Sequence, residues 1–183
     1  MRVIAGKYKG RRCYAPHGDD VRPTSDRVKE AVFSMMAPYI EDAVCLDLFA
    51  GSGNLGIEAL SRGAIRVYFC DNSAATAAFI KKNLVTLGIG DEGRVIIADW
   101  RDALSKIPEP LDIVFIDAPY AMCEYYGTML ETIASKGLIR ENGLVIIEKN
   151  ARVSAEYAPA GFGLLKEKRY GGIGIDLLRL APE

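Results

Sequence analysis

Histidine is nearly missing from this chain: His17 is the only one in 183 residues. It stands in "HGDDVRPTS", a loop-like stretch where a surface position is expected, so chemistry that relays protons through a triad histidine is disfavoured. Cysteine is scarce too. Cys13, Cys45, Cys70 and Cys123 form no C-x-x-C pair, which argues against a zinc site. Cys45 and Cys70 fall inside apolar runs and read as core residues. No apolar run approaches the roughly 18 residues of a spanning helix, and no secretory leader opens the chain. A soluble, cytoplasmic protein without a membrane partner is expected. Linkers, repeats and low-complexity segments are absent as well, so residues 1–183 read as one domain, of a size that supports a substantial core. Acid is missing from the first twelve residues, which hold Arg2, Lys7, Lys9, Arg11 and Arg12, although the whole chain carries a net charge of −1. That asymmetry marks residues 1–21 as a basic arm joined to an enzyme-like body.

What is present is an alternation of elements. "RVIAGKYKGRRCYA" alternates apolar and polar residues around a Lys/Gly turn and suggests a β-hairpin. Thr24 or Ser25 is placed to cap a helix, "DRVKEAVFSMM", with Val28, Val32, Phe33 and Met36 on one face. Then "AVCLDLF" (43–49), "RVYFCD" (66–71), "RVIIAD" (94–99), "DIVFID" (112–117) and "GLVIIEK" (143–149) follow as short, β-branched apolar runs, the pattern of strands covered on both faces. Helical candidates lie between them: "NLGIEALSR", "SAATAAFIKKNLVTLG" and "CEYYGTMLETIAS". The tail reads as two more strands around Gly171-Gly172, a hairpin at the sheet edge. The architecture expected is α/β: a doubly wound, Rossmann-like sheet of about seven mainly parallel strands with an N-terminal β-hairpin.

In such sheets ligands bind at the carboxyl ends of the strands. Four of the first five strands end in or beside an aspartate: Asp47, Asp71, Asp99 and Asp117. Single acids there are ordinary helix caps; four on one rim favour a site. The first strand runs into "LDLFAGSGNLG", where Gly51, Gly53 and Gly56 make a G-x-G-x-x-G pattern. That pattern also serves nicotinamide and flavin folds. Asp47 discriminates, because a carboxylate below the loop repels a pyrophosphate and suits a cation. S-adenosylmethionine is such a ligand, with a sulfonium, an ammonium and no phosphate. Asp71 suits the ribose hydroxyls and Asp99 the adenine amine. Trp100 is a stacking surface or a core residue.

"DLFAGSGNLGIEALSRGA", with "RPTSDRVKEAVFSMM" upstream, "DAPY" downstream, the basic start "MRVIAGKYKGRR" and the late "RYGG", resembles the RsmD-type bacterial 16S ribosomal RNA guanine-N2 methyltransferases over nearly the whole chain. The resemblance implies a class I S-adenosylmethionine-dependent methyltransferase fold and methylation of an exocyclic guanine amine in small-subunit rRNA, with an assembling subunit as the substrate and a monomeric enzyme. It places the cofactor against Asp47, Phe49, Gly51, Ser52, Gly53, Asp71, Asn72, Asp99 and Trp100, and no metal. The family pattern is Asp-Pro-Pro-Tyr or Asp-Pro-Pro-Phe; here Ala118 replaces the first proline, while Asp117, Pro119 and Tyr120 remain.

The chemistry explains that tetrapeptide. An exocyclic amine is a poor nucleophile because its lone pair is delocalised into the ring. Asp117 accepting one N–H and the carbonyl of residue 118 the other would raise its electron density. Pro119 fixes the turn, and Tyr120 stacks on the base. Lys7, Lys9, Arg11 and Arg12 are expected on RNA phosphates with Tyr8 available for stacking. Arg22 and Arg27 either bridge substrate and cofactor loops or are surface charges, and Tyr170 reads as structural. The competing readings are an amine methyltransferase for adenine N6 or a protein glutamine amide, a nicotinamide-dependent oxidoreductase that Asp47 weakens, and a catalytically silent RNA-binding relative.

Overall fold

The computed structural model describes residues 1–15, 26–153 and 160–181. His17, Arg22 and the capping candidates Thr24 and Ser25 lie outside the described residues. In chain order come α1 (Asp26–Met36), β1 (Val44–Asp47), α2 (Asn54–Ser61), β2 (Arg66–Asp71), α3 (Ala74–Leu87), β3 (Gly93–Ile97), α4 (Trp100–Leu104), β4 (Leu111–Ile116), α5 (Tyr126–Ser135), β5 (Ile139–Asn150), β6 (Phe162–Tyr170) and β7 (Ile173–Leu180). The strands form one sheet in the order β3-β2-β1-β4-β5-β7-β6. Strands β1 to β5 pair in parallel, and β7 enters antiparallel between β5 and β6. This is the doubly wound α/β sheet expected from the sequence. The C-terminal hairpin turns at Gly171 (φ 61°) and Gly172, but β7 is interior and β6 alone forms the edge.

The runs of β1, β2, β4 and the second half of β5 are continuously apolar because both faces are covered, whereas edge strand β3 stays partly exposed. Cys45, Phe69, Ile113, Phe115 and Ile146 join the core under α1, α2 and α3. Leu46, Val114, Ile116, Val145 and Ile147 alternate with them and join a second core with Trp100, Tyr126, Met129 and Leu130. Helix α3 follows its sequence signals. The Ser73 hydroxyl accepts the Thr76 N–H at 3.2 Å, and Gly88, at φ 70°, ends the helix. The short α4 was hidden in the sequence, since five residues carry no helical period. Successive strands run outward from β1 toward β3 and from β4 toward β5, so the direction of winding reverses between β1 and β4. There the carboxyl ends open a crevice.

The N-terminal arm realises the expected hairpin only in part. It folds back through a single antiparallel bridge, Arg2 with Arg12, and forms no paired strands. Beside that bridge the Val3 N–H donates to the Arg11 carbonyl at 3.0 Å and the Gly10 N–H to the Val3 carbonyl at 2.9 Å, and further N–H groups of the arm go to α2. The Ile4 and Ala5 N–H groups donate to the Glu58 carboxylate at 2.9 and 3.0 Å. Lys7 and Tyr8 N–H donate to the Ser61 carbonyl and hydroxyl at 2.7 and 2.9 Å. Gly6 permits this approach, because a Cβ there would lie 1.7 Å from the Ser61 carbonyl oxygen. Val3 and Cys13 are buried in the first core. With the arm over it, α2 is buried from Leu55 through Ser61, including the Glu58 carboxylate. Burial alone would raise that carboxyl. The Ile4 N–H and the Arg62 and Lys29 cations outweigh it and hold Glu58 below the ordinary glutamate range.

Candidate active site

Asp47 ends β1 directly beneath the glycine loop and is only 1 % exposed. Its Oδ2 accepts the Gly56 N–H in the first turn of α2 at 2.9 Å. Burial, with the Asp117 and Asp71 charges adding to it against that hydrogen bond, pushes the Asp47 carboxyl up to about 7. Asp47 is in register with Phe69 on β2 and Phe115 on β4, each two residues before Asp71 and Asp117, so the three acids stand at the carboxyl ends of adjacent strands. Asp47 therefore lies under the crevice rather than open to it.

The glycine loop is held from both sides. The Ala50 N–H donates to the Cys70 carbonyl at 2.8 Å, and the Gly51 N–H donates to Asp71 Oδ2 at 3.0 Å. Asp71 Oδ1 accepts the Ser73 N–H at 2.8 Å. Each carboxylate oxygen keeps a further lone pair for a ligand hydroxyl. Gly51 and Gly53 take φ values of 54° and 84°, which L side chains rarely adopt. A Cβ at Gly51 would meet nothing within 4 Å, so the loop backbone borders open space there. Gly56 has a different role. A Cβ on it would lie 2.3 Å from the Phe69 ring, so it sets how closely α2 approaches β2. Ser52 is buried, Phe49 is half-buried and Asn72 is exposed beside Asp71.

Asp99 and Trp100 stand where β3 gives way to α4. Asp99 lies two residues beyond β3 and caps α4, accepting the Arg101 N–H and guanidinium at 3.1 and 3.2 Å. It remains exposed for a further donor. Trp100 is 3 % exposed within the second core, with the Arg101 guanidinium 4.4 Å over its ring. Of its two readings, the structure supports core packing. Its Nε1 is a buried donor without a partner among the described residues.

Asp117 follows β4 and is half-buried; Ala118 is 2 % exposed in the second core, and Pro119 and Tyr120 face outward. Pro119 takes φ −49° and its carbonyl accepts the Met122 N–H at 2.8 Å, opening a 3₁₀ turn over Tyr120–Tyr125. Two neighbours were missed in the sequence. Tyr126 is buried, and its hydroxyl donates to the Glu148 carbonyl at 3.2 Å. Burial raises that hydroxyl's pKa, with Cys123, Asp117, Tyr120 and Glu148 adding to it. Glu148 follows the Ile116–Ile147 register pair on β5 and is 8 % exposed. It is a fifth acid on the rim, and the signal was present in "VIIEK".

On the arm, Lys7, Lys9, Arg11, Arg12 and, on α1, Arg27 are exposed. Arg11 is partly engaged, its guanidinium donating to the Thr86 carbonyl at the end of α3. The Lys7 ammonium lies 5.1 Å from the Tyr8 ring centroid. The basic surface continues past the arm, since the Lys82 ammonium stands 3.6 Å over the exposed Tyr14 ring beside exposed Lys81. Among the described residues there is no group of acids, cysteines or histidines arranged for a metal, and no helix is long and apolar enough to cross a membrane.

Comparison with known proteins agrees with this geometry. The family model described as Conserved hypothetical protein 95 matches residues 1–179. Ribosomal RNA small subunit methyltransferase D of Escherichia coli K12 is 36% identical over 180 residues, covering 97% of this chain and 88% of that protein. The protein of the same name from Haemophilus influenzae is 36% identical over 174 residues, covering 93% and 89%. The solved structure of yhhF from Escherichia coli, described as a methyltransferase, superposes with a TM-score of 0.89 at 34% identity, covering 100% of this chain and 99% of that one. The chain therefore belongs to the Conserved hypothetical protein 95 family, that of the small-subunit ribosomal RNA methyltransferases D.

Proposed function

We propose that the chain transfers a methyl group from S-adenosylmethionine to the exocyclic N2 amine of a guanine in 16S ribosomal RNA. The observation that carries this reading is the placing of Asp47, Asp71 and Asp117 at the carboxyl ends of three adjacent strands, beside a glycine loop whose backbone borders open space. Three carboxylates suit a cationic ligand and oppose a phosphate, so the residues fit S-adenosylmethionine. When bound, it supplies an electrophilic methyl on a positive sulfur. Asp71 offers its remaining lone pairs to ribose hydroxyls, and exposed Asp99 accepts from the adenine amine. Phe49, Ser52 and Asn72 complete the rim. Asp47 acts from beneath, its buried charge favouring a cation above it.

Asp117 accepts one N–H of the target amine, and the Ala118 carbonyl is the candidate acceptor for the other. Both draw the nitrogen lone pair out of the ring. Proximity and charge placement then serve the transfer better than a strong base would. The exposed Tyr120 ring stacks on the base, and the Pro119 ring fixes the turn that holds both. Lys7, Lys9, Arg11 and Arg12, with Arg27 and the Tyr14–Lys82 surface, grip phosphates. The whole chain works as one methyltransferase domain, a cytoplasmic monomer acting on an assembling small subunit. The test is transfer of labelled methyl to rRNA in assembling small subunits, followed by nucleoside analysis. N2-methylguanosine is the expected product. Methyladenosine or methylated ribosomal protein in its place would overturn the substrate, and tight binding of NAD with none of S-adenosylmethionine would overturn the cofactor.

A further inference from the structure

Asn83 lies on α3, is fully buried, and has both amide heteroatoms engaged. Its Oδ1 accepts the Tyr14 N–H at 2.7 Å, and its Nδ2 donates to the carbonyls of Tyr14 at 2.9 Å and Ser52 at 3.1 Å. One buried side chain thus ties the end of the basic arm to the middle residue of the glycine loop. The start of the arm reaches the same residue, with the Ser52 hydroxyl 3.3 Å from Met1 Sδ. The Cys13 N–H donates to the Met1 carbonyl at 3.1 Å, which closes the arm on itself. A third link meets the far end of the loop. The buried Lys29 ammonium donates to the Arg2 carbonyl at 2.7 Å and to Asn54 Oδ1 at 2.9 Å while it pairs with Glu58 at 3.1 Å.

Ser52 sits between two glycines of positive φ, so the loop around it owes its shape to what holds it. A buried amide that bonds two backbone segments penalises moving either one, because the other is left with unpaired polar groups. We infer that Asn83 is a positioning residue that couples the seating of the basic arm to the geometry of the glycine loop, so that RNA on the arm and cofactor at the loop strengthen each other's binding. This rests on the functional reading above. Whichever ligand arrives first restrains Ser52 and Tyr14 for the other, and the gain is reciprocal.

The experiment titrates the full chain with S-adenosylmethionine and with a 16S rRNA transcript, each alone and each in the presence of the other. Hydrogen exchange at the Tyr14 amide is followed in parallel. The wild type is expected to bind each ligand roughly 5-fold or more tightly when the other is present, and cofactor alone should slow exchange at Tyr14. Asn83→Leu, which keeps the branching and heavy-atom count of the side chain, should still bind each ligand separately but lose most of that factor. Asn83→Ser serves as a second variant should the leucine fail to fold. Equal coupling in wild type and variants, or a Tyr14 amide indifferent to cofactor, would overturn the inference while leaving the functional reading intact. Failure of the wild type to bind either ligand alone would sink both.

Discussion

Two turns leave the sheet on either side of the β1–β4 switch, and they offer different surfaces to a ligand. Residues 48–53 are held by bonds running inward. Leu48 and Ala50 N–H groups donate to the carbonyls of Phe115 and Cys70, Gly51 to Asp71, and Gly53 to the Ala50 carbonyl at 2.7 Å. Residues 117–120 turn at Pro119 into the 3₁₀ segment that follows, and they present a ring to solvent: Tyr120 is 37 % exposed. The first turn offers backbone and fixed charge, which suits a ligand bound the same way each time. The second offers side chains, which suits a base arriving from outside.

The sharpest way to break this comparison is Asp117→Ala. Fold and cofactor affinity should persist while turnover on rRNA falls about 10²–10³-fold, the scale for losing one preorganised electrostatic partner. Near-normal turnover in the methyl-transfer assay would make Asp117 a plain strand end. Gly56→Ala attacks the other turn through packing. Its new Cβ meets Phe69 at 2.3 Å and Val67 at 2.8 Å, and such overpacking costs about 1–3 kcal/mol. Thermal melts should move down by about 2–4 °C per kcal/mol; an unchanged Tm would mean that α2 shifts freely on β2. Tyr120→Ala should raise KM for RNA with little effect on cofactor affinity, since one base stack is worth about 1–3 kcal/mol.

Asp47 gives a pH signature. Its carboxyl is held up to about 7 in the free protein, and a cation above it favours the ionised form. Binding therefore releases a proton below that value, so cofactor affinity should rise from pH 5.5 to about 7 and then level off. Asp47→Asn should weaken binding and flatten that rise in calorimetry at several pH values. A persistent slope would assign the proton to another group. The smallest effect is expected from Ala118→Pro, because the carbonyl at 118 remains in place. Turnover should match the wild type, and a large loss would show that the turn needs its present backbone freedom.

The strands were legible because residues covered on both faces must be apolar, and that needs only local pattern. The glycine signature was legible because Gly51 and Gly53 adopt backbone angles that few other residues take. What escaped depended on partners distant in the chain. Glu58, inside "NLGIEALSR", would ordinarily face water. It is buried because residues 2–8 cover α2, and no periodicity announces that. The arm reads as a hairpin from its alternation, and Val3, Gly10 and Cys13 do bond across it, yet the Ile4, Ala5, Lys7 and Tyr8 N–H groups go to Glu58 and Ser61, more than fifty residues away. Asp99 was noticed as an acid at a strand end. The helix that it caps was not, because α4 is too short to leave a period. Trp100 had two readings that only burial separates.

The four thiols differ in a way that serves the experimenter. Cys13, Cys45 and Cys70 are buried; burial raises all three, Cys70 to about 12. Their thiolate forms, the ones that react, are suppressed near neutral pH. Cys123 is only half-buried and stands three residues after Tyr120 within the same 3₁₀ turn. A maleimide dye added to the unaltered chain should therefore collect at Cys123, beside the ring that meets the base. That turn carries its own attachment point for a fluorescent reporter of RNA arrival, with no cysteine to remove first.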